Sequence, residues 1–258
     1  MSLADQVAIV TGGGRGIGAA CVRALAREGA SVVVATPEAD ERERLVSELR
    51  SAGHQAIGTD TDVTNQDQLE IMVNTTIRDL GQIDVLVNNA GVIGPTAPLQ
   101  DVTRADWESV MDVNVTGLFL ATRAVLPQML KQRSGRVINI ASAAGQIGFP
   151  LRSPYAASKW AVIGITKTLA HEVANDGILV NAICPGPIDG PRMDAIIAAK
   201  AGATSTTQES VRAEIESDTL LGRLIPPEHI GEMAAFLASD KANSITGQTL
   251  DVNAGYRV

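Results

Sequence analysis

The chain has 258 residues, 45% of them hydrophobic but only 3% aromatic, with 29 acids against 21 Lys and Arg for a formal charge of -8. That is enough small aliphatic material for one large core. The acid excess and the lack of a basic run argue against nucleic acid or an anionic membrane as partner. Cys21 and Cys184 lie in apolar runs away from any second Cys or His, and His54, His171 and His229 are scattered, so no metal site is expected. The opening "MSLADQVAIVTGG" carries an early acid and an apolar run too short for a leader, and no stretch of about 18 apolar residues follows. A protein of a reduced, cytoplasmic compartment is expected.

In chain order, "VAIVT" from Val7, "SVVVA" from Ser31, "QAIG", "DVLVN" from Asp84, "RVINI" from Arg136, "ILVNAI" from Ile178 and "QTLDV" alternate with helix-length segments. Short runs that are apolar on both faces imply parallel strands joined by right-handed helical crossovers. The expected fold is one α/β domain over residues 1–258, a Rossmann-type doubly wound sheet of about seven parallel strands with helices on both faces. The hydroxyl-rich "KAGATSTTQES", residues 200–210, reads equally as a mobile segment or as an ordinary exposed loop.

"TGGGRGIG", residues 11–18, follows the first strand and opens a helix. Glycines there let the backbone approach a pyrophosphate resting on the helix N-terminus. Strict G-x-G-x-x-G spacing fails from Gly12, because Ile17 stands where the last glycine belongs; a relaxed match uses Gly14, Gly16 and Ala19. At the end of the second strand, "ATPEAD" offers Thr36 rather than the carboxylate that would hold a ribose 2′-hydroxyl. Arg15 can pair with a 2′-phosphate, which tilts the expected cofactor towards NADP(H). Glu38 beyond Pro37 keeps NAD(H) possible.

"SPYAASKW" places Tyr155 and Lys159 four residues apart, on one helix face. A phenol with a reference pKa of about 10 needs about 4 kcal/mol of preference for its anion to titrate near pH 7. An ammonium about 4 Å away supplies about 1 kcal/mol in water, and about 4 kcal/mol at an effective dielectric near 20. The pair is useful as an acid/base only in a partly desolvated cleft.

"TGGGRGIG", "NNAG" at 88–91, "DVNVTG" at 112–117, Ser142, "YAASK" and the "PG" of 185–186 occur in this order along the chain. Together they resemble a short-chain dehydrogenase/reductase of the roughly 250-residue type, over essentially the whole length. That family's TGxxxGxG pattern uses Gly12, Gly16 and Gly18. The resemblance implies a catalytic tetrad of Asn114, Ser142, Tyr155 and Lys159. Tyr155 would be the general acid and base, and Lys159 would lower its pKa and hold the nicotinamide ribose. Ser142 would hold the substrate oxygen, and Asn114 a water leading from Lys159 to solvent. Asp62 and Val63 match an adenine contact, and Asn88, Ala90 and Gly91 a cofactor-supporting segment. Pro185 and Gly186 carry the motif, and Ile188 matches the backbone that meets the nicotinamide amide. Gly190 departs from the pattern by replacing a frequent threonine.

Specificity is expected in the loop after Ser142 and in the excursion from Pro187 to about Leu224. Gln146, Phe149, Leu151 and Met193 are candidate substrate contacts; Arg152 is a candidate for an anionic group, although a surface cation is its plainer reading. The chain is also similar to 3-oxoacyl-acyl carrier protein reductases. His171 where an arginine often stands, and the acidic net charge, count against that role, while Arg133 matches a second basic position. A small free ketone or secondary alcohol is therefore preferred as substrate. A nucleotide-sensing protein without catalysis would be free to lose Tyr155 or Lys159; a dehydratase or epimerase would need further acids or bases. Trp107 and Trp160 are expected to pack helices. The resemblance implies a homotetramer with helices starting near Arg104 and Ser153 at one interface.

Overall fold

Strands that are apolar on both faces must be covered twice, and two layers of helix meet that demand. A computed structural model describes residues 2–257. Seven strands, β1 (Val7–Thr11), β2 (Ser31–Ala35), β3 (Ala56–Thr59), β4 (Val85–Asn88), β5 (Gly135–Ile140), β6 (Ile178–Pro185) and β7 (Thr249–Val252), form one sheet. Their order is β3-β2-β1-β4-β5-β6-β7 and every pairing is parallel. The order reverses between β1 and β4, where an open doubly wound sheet leaves a crevice beyond the strand C-termini.

One face is covered by α1 (Gly16–Arg27), α2 (Ala39–Ser51) and α9 (Pro227–Ala238), which bury Cys21, Leu25, Leu45, Leu49, Ile230 and Leu237. The other is covered by α3 (Gln66–Leu80), α5 (Gly117–Gln132) and α6 (Ser153–Val173), through Leu69, Met72, Val125, Met129 and Val173. Between α4 (Arg104–Met111) and α5 the helix widens into a single π turn over Asp112–Thr116. The continuous helical stretch 104–132 is by length and mean hydropathy (1.2) apolar enough to cross a membrane. A core helix passes the same test, and this one buries Val110, Leu118, Ala121, Val125 and Met129.

The excursion after β6 is two helices, α7 (Pro191–Thr204) and α8 (Gln208–Ser217). They share a satellite core of Met193, Ile197, Ala201, Val211, Ile215 and Leu224. Its base is closed by a parallel bridge of Ile188 to Ile225, with the Ile225 amide donating to the Pro187 carbonyl at 2.9 Å. Residues 200–210 thus lie mostly in helix rather than in one continuous loop. Only Ser205–Thr207 lie between the helices: Ser205 ends α7 at φ 54, and the Thr207 hydroxyl accepts from the Ser210 amide to start α8. Two of the hydroxyl residues, Ser205 and Thr207, are caps, a role that composition does not separate from that of a loop.

Candidate active site

The C-terminal ends of β1, β4, β5 and β6 open onto one cavity. Ile17, Asn89, Gly91 and Ile188 line it at one end, and Ser142, Phe149, Arg152, Tyr155 and Lys159 at the other, with Arg192, Ile196 and Tyr256 above.

The glycine loop forms the first end. Arg15 is the N-cap of α1 but gives no side-chain cap, so the first-turn amides are left free to receive an anion. A Cβ on Gly18 would be driven into the Gly12 carbonyl, whereas the space beside Gly16 is open. This is a cradle shaped for close approach of a diphosphate, and the residues fit a bound dinucleotide. The Thr11 hydroxyl accepts from the Asn89 and Ala90 amides, and Asn89 Nδ2 donates to the Thr11 and Gly12 carbonyls, which ties the 88–91 segment to the loop. Asn89 was not singled out in the sequence; its place between two matched motif residues was the available signal. Asn88 itself is buried beneath, donating to Thr122 Oγ1 and Asn139 Oδ1, while Asn139 donates to Thr166 Oγ1, each at 2.9 Å. This chain of amides fixes α5 and α6 against β4 and β5.

At the adenosine end, Thr36 Oγ1 donates to Glu38 in a short hydrogen bond. That bond first, with Arg15 and Arg42 also contributing, holds the Glu38 carboxyl below the usual range. Arg15 pairs with Glu41 at 3.4 Å on the surface, and Arg42 donates to the Thr36 carbonyl at 2.6 Å. Glu38 thus folds back to the strand end despite Pro37. Asp62 is exposed, its carboxylate accepting from the Thr64 amide and hydroxyl, and Val63 is buried against Gly117.

At the other end, Ser142 lies two residues beyond β5 in extended conformation, and its Oγ accepts from the Ala144 amide at 3.1 Å, starting a 3-10 turn. The same hydroxyl hydrogen-bonds Tyr155 and favours its anion. Cap and substrate-oxygen ligand are therefore compatible uses of one atom. Burial raises the Tyr155 pKa above its ordinary value, and Ser142, Arg192 and Arg152 oppose that rise. Lys159 is buried; its Nζ donates to the Ile140 carbonyl at 2.7 Å and lies 5.7 Å from the centre of the Tyr155 ring. Desolvation, then Arg192, pushes Lys159 down to about 8. Arg192 and Arg152 thus bring positive charge to the phenol in addition to Lys159 and the oxidised nicotinamide to which the sequence pointed.

Asn114 lies in the π turn, fully buried. Its two Nδ2 hydrogens go to the Val92 carbonyl and Ser158 Oγ, each at 2.9 Å, and its Oδ1 accepts from the Val92 amide at 2.8 Å. The side chain clamps the end of the 88–92 segment to α6, which leaves any water ligation to its remaining lone pair or its backbone.

Pro185, Gly186 and Ile188 line the cavity. Gly190 has φ 129 and ψ -177 at the start of α7, a conformation closed to threonine, which explains the departure from the family pattern. Two residues on, Arg192 Nη2 reaches across to the Gly91 carbonyl at 2.8 Å.

Of the substrate candidates, Phe149 and Arg152 line the cavity and three do not. Gln146 contacts the Asp251 carboxylate instead. Leu151, at φ 65, offers its carbonyl to the Ala97 amide. Met193 is buried in the α7–α8 core, because the helix turns it away from the sheet. Arg152 is not a surface cation: it is 6% exposed. Trp107 and Trp160 are 37% and 53% exposed, so they neither pack in the core nor reach the cavity. Arg192, Ile196 and Tyr256 are wall residues that no motif announced, since only tertiary structure brings the excursion and C-terminus over β5.

The profile described as short chain dehydrogenase matches residues 6–202. The chain belongs to the short chain dehydrogenase family. It is an oxidoreductase of that family, acting on CH–OH and keto groups with a nicotinamide cofactor. The dehydrogenase is 41% identical over 256 residues to a 3-oxoacyl-[acyl-carrier-protein] reductase of Synechocystis sp., covering 98% of each chain. It superposes on a variant of actinorhodin polyketide ketoreductase with NADPH at TM-score 0.95 and 35% identity, covering 100% of this chain and 99% of that one. Against an NAD+-bound xylitol dehydrogenase the TM-score is 0.96 at 33% identity, covering 99% and 100%.

Proposed function

We propose that this dehydrogenase interconverts small free ketones and secondary alcohols, with Tyr155 as general acid and base. The observation that carries the reading is the convergence of Tyr155, Ser142 and Lys159 in a partly desolvated cavity that continues into the glycine cradle. When bound, the nicotinamide supplies or accepts a hydride at the carbonyl carbon. The Ser142 hydroxyl holds the substrate oxygen as negative charge develops on it, and Tyr155 Oη delivers the proton. In oxidation Tyr155 accepts that proton. Lys159 holds positive charge beneath the phenol and serves the nicotinamide ribose. Asn114 keeps the 88–92 segment and α6 in register and borders the path by which the proton is replaced.

The cofactor residues are Gly12, Arg15, Gly16, Ile17, Gly18, Thr36, Asp62, Val63, Asn88, Ala90, Gly91, Pro185, Gly186 and Ile188, with Tyr155 and Lys159. NADPH is the preferred form: Arg15 and Arg42 flank the Thr36 strand end, and the exposed Arg15–Glu41 pair is weak enough to open for a 2′-phosphate. Glu38, ionised beside Thr36, favours NADH as the second form.

An acyl carrier substrate is the second reading, favoured by the Synechocystis relative. Against it, Arg133 is engaged by Asp176 at 3.2 Å and the Asn175 carbonyl, and His171 stands where those reductases often have an arginine. A cytoplasmic homotetramer completes the reading. Exposed Trp107, Phe119 and Trp160 give α4, α5 and α6 an apolar surface for another copy.

The test is absorbance at the nicotinamide band with a panel of ketones and alcohols, both cofactors, and a carrier-linked 3-oxo substrate beside its free analogue. Turnover of free ketones that Tyr155→Phe removes supports the reading; turnover confined to the carrier-linked form refutes it.

A further inference from the structure

We infer that the substrate carries a carboxylate, and that Arg152 is the residue that binds it. The inference rests on the ketone–alcohol reading and names the substrate class within it. A guanidinium strongly favours solvent or an acid partner, yet Arg152 is 6% exposed. Its one protein hydrogen bond among the described residues runs from Nη1 to the Gly94 carbonyl at 3.1 Å. A neutral carbonyl does not compensate a buried charge, and among the described residues no Asp or Glu lines the cavity. The remaining donors of the fork are suited to a bidentate carboxylate.

Location separates this residue from cofactor binding. Arg192 holds the Gly91 carbonyl, in the cofactor-supporting segment, whereas Arg152 holds Gly94 beyond it and stands three residues before Tyr155. Phe149, Ile93 and Ile196 give the cavity apolar wall for a short hydrocarbon skeleton. An oxo acid or hydroxy acid would place its oxygen at Tyr155 and Ser142 and its carboxylate at Arg152. Arg152 would thereby determine specificity without entering the proton transfer.

The experiment uses full-length enzyme with whichever cofactor supports turnover, and short oxo acids each paired with its methyl ester. The expected result is a kcat/KM for acids about 10- to 100-fold above that for esters, the range for one charge-assisted contact. Arg152→Gln should lower the acid-to-ester ratio of kcat/KM by about the same factor, through KM for acids, while cofactor Kd stays nearly unchanged and any change in kcat from the lost charge near Tyr155 falls equally on acids and esters; Arg152→Lys should recover part of the ratio. Equal use of acid and ester by the native enzyme overturns the inference while the ketone reading stands, as does an Arg152→Gln variant that binds cofactor but loses both alike. Should Arg152→Gln not fold, the acid-to-ester ratio of the native enzyme and of Arg152→Lys decides. If neither member of any pair nor any neutral ketone is turned over, the ketone reading fails and the inference with it.

Discussion

The two ends of the cavity are built on opposite plans. The cofactor end is mostly backbone: a helix N-terminus, a glycine that admits no Cβ, loop amides held by the Thr11 hydroxyl and loop carbonyls held by Asn89. The substrate end is mostly side chains from α6, the excursion and the C-terminus, including Arg152, Tyr155 and Tyr256. Backbone geometry leaves a spacing in the sequence, while converging side chains leave none. One family can therefore share the first end and vary the second.

If the ends are separable, Tyr155→Phe should cut turnover by about 10²- to 10⁴-fold, the range for a lost general acid. Cofactor Kd, followed by nicotinamide fluorescence, should stay within about twofold; equal loss of both would join the two ends.

Lys159 tests the desolvation of the chemical end. Its pKa falls from 10.5 to about 8 on folding, so between these values the unfolded chain holds more protons than the folded one. Stability should therefore rise with pH across that window, by about 3 kcal/mol in total. Denaturant melts between about pH 8 and 10, below the raised titration of Tyr155, should show this slope as the difference between native protein and Lys159→Met, because the buried Cys21 and Cys184 thiols, pushed up to about 12, pull stability the other way in both.

Gly190→Thr would restore the common family residue at φ 129. It should destabilise by about 1–3 kcal/mol, as strain at a glycine-only conformation does, and disturb α7 more than the glycine cradle. A melt beside cofactor titration measures both.

The smallest effect is expected at the adenosine corner. Glu38→Gln removes one charge near the 2′ position and should raise the NADPH-to-NADH ratio of kcat/KM by about tenfold, near 1.4 kcal/mol. An unchanged ratio would show that Glu38, though drawn to Thr36, does not face the ribose.

The sequence by itself determined the seven parallel strands, the glycine loop and the order of the family motifs, because each depends on spacing within one local segment. It also brought Tyr155 and Lys159 to one helix face, since a helix repeats within a few residues. Tertiary structure decided that Arg152 is buried and Trp160 exposed, that Gln146 and Met193 face away, and that Ser205–Thr207 only join two helices. It decided, too, that Arg152 and Arg192 add positive charge near Tyr155, and that Lys159 Nζ donates to the Ile140 carbonyl. These outcomes depend on distant segments sharing one desolvated volume. Burial and field at a point are sums over neighbours that no local pattern encodes.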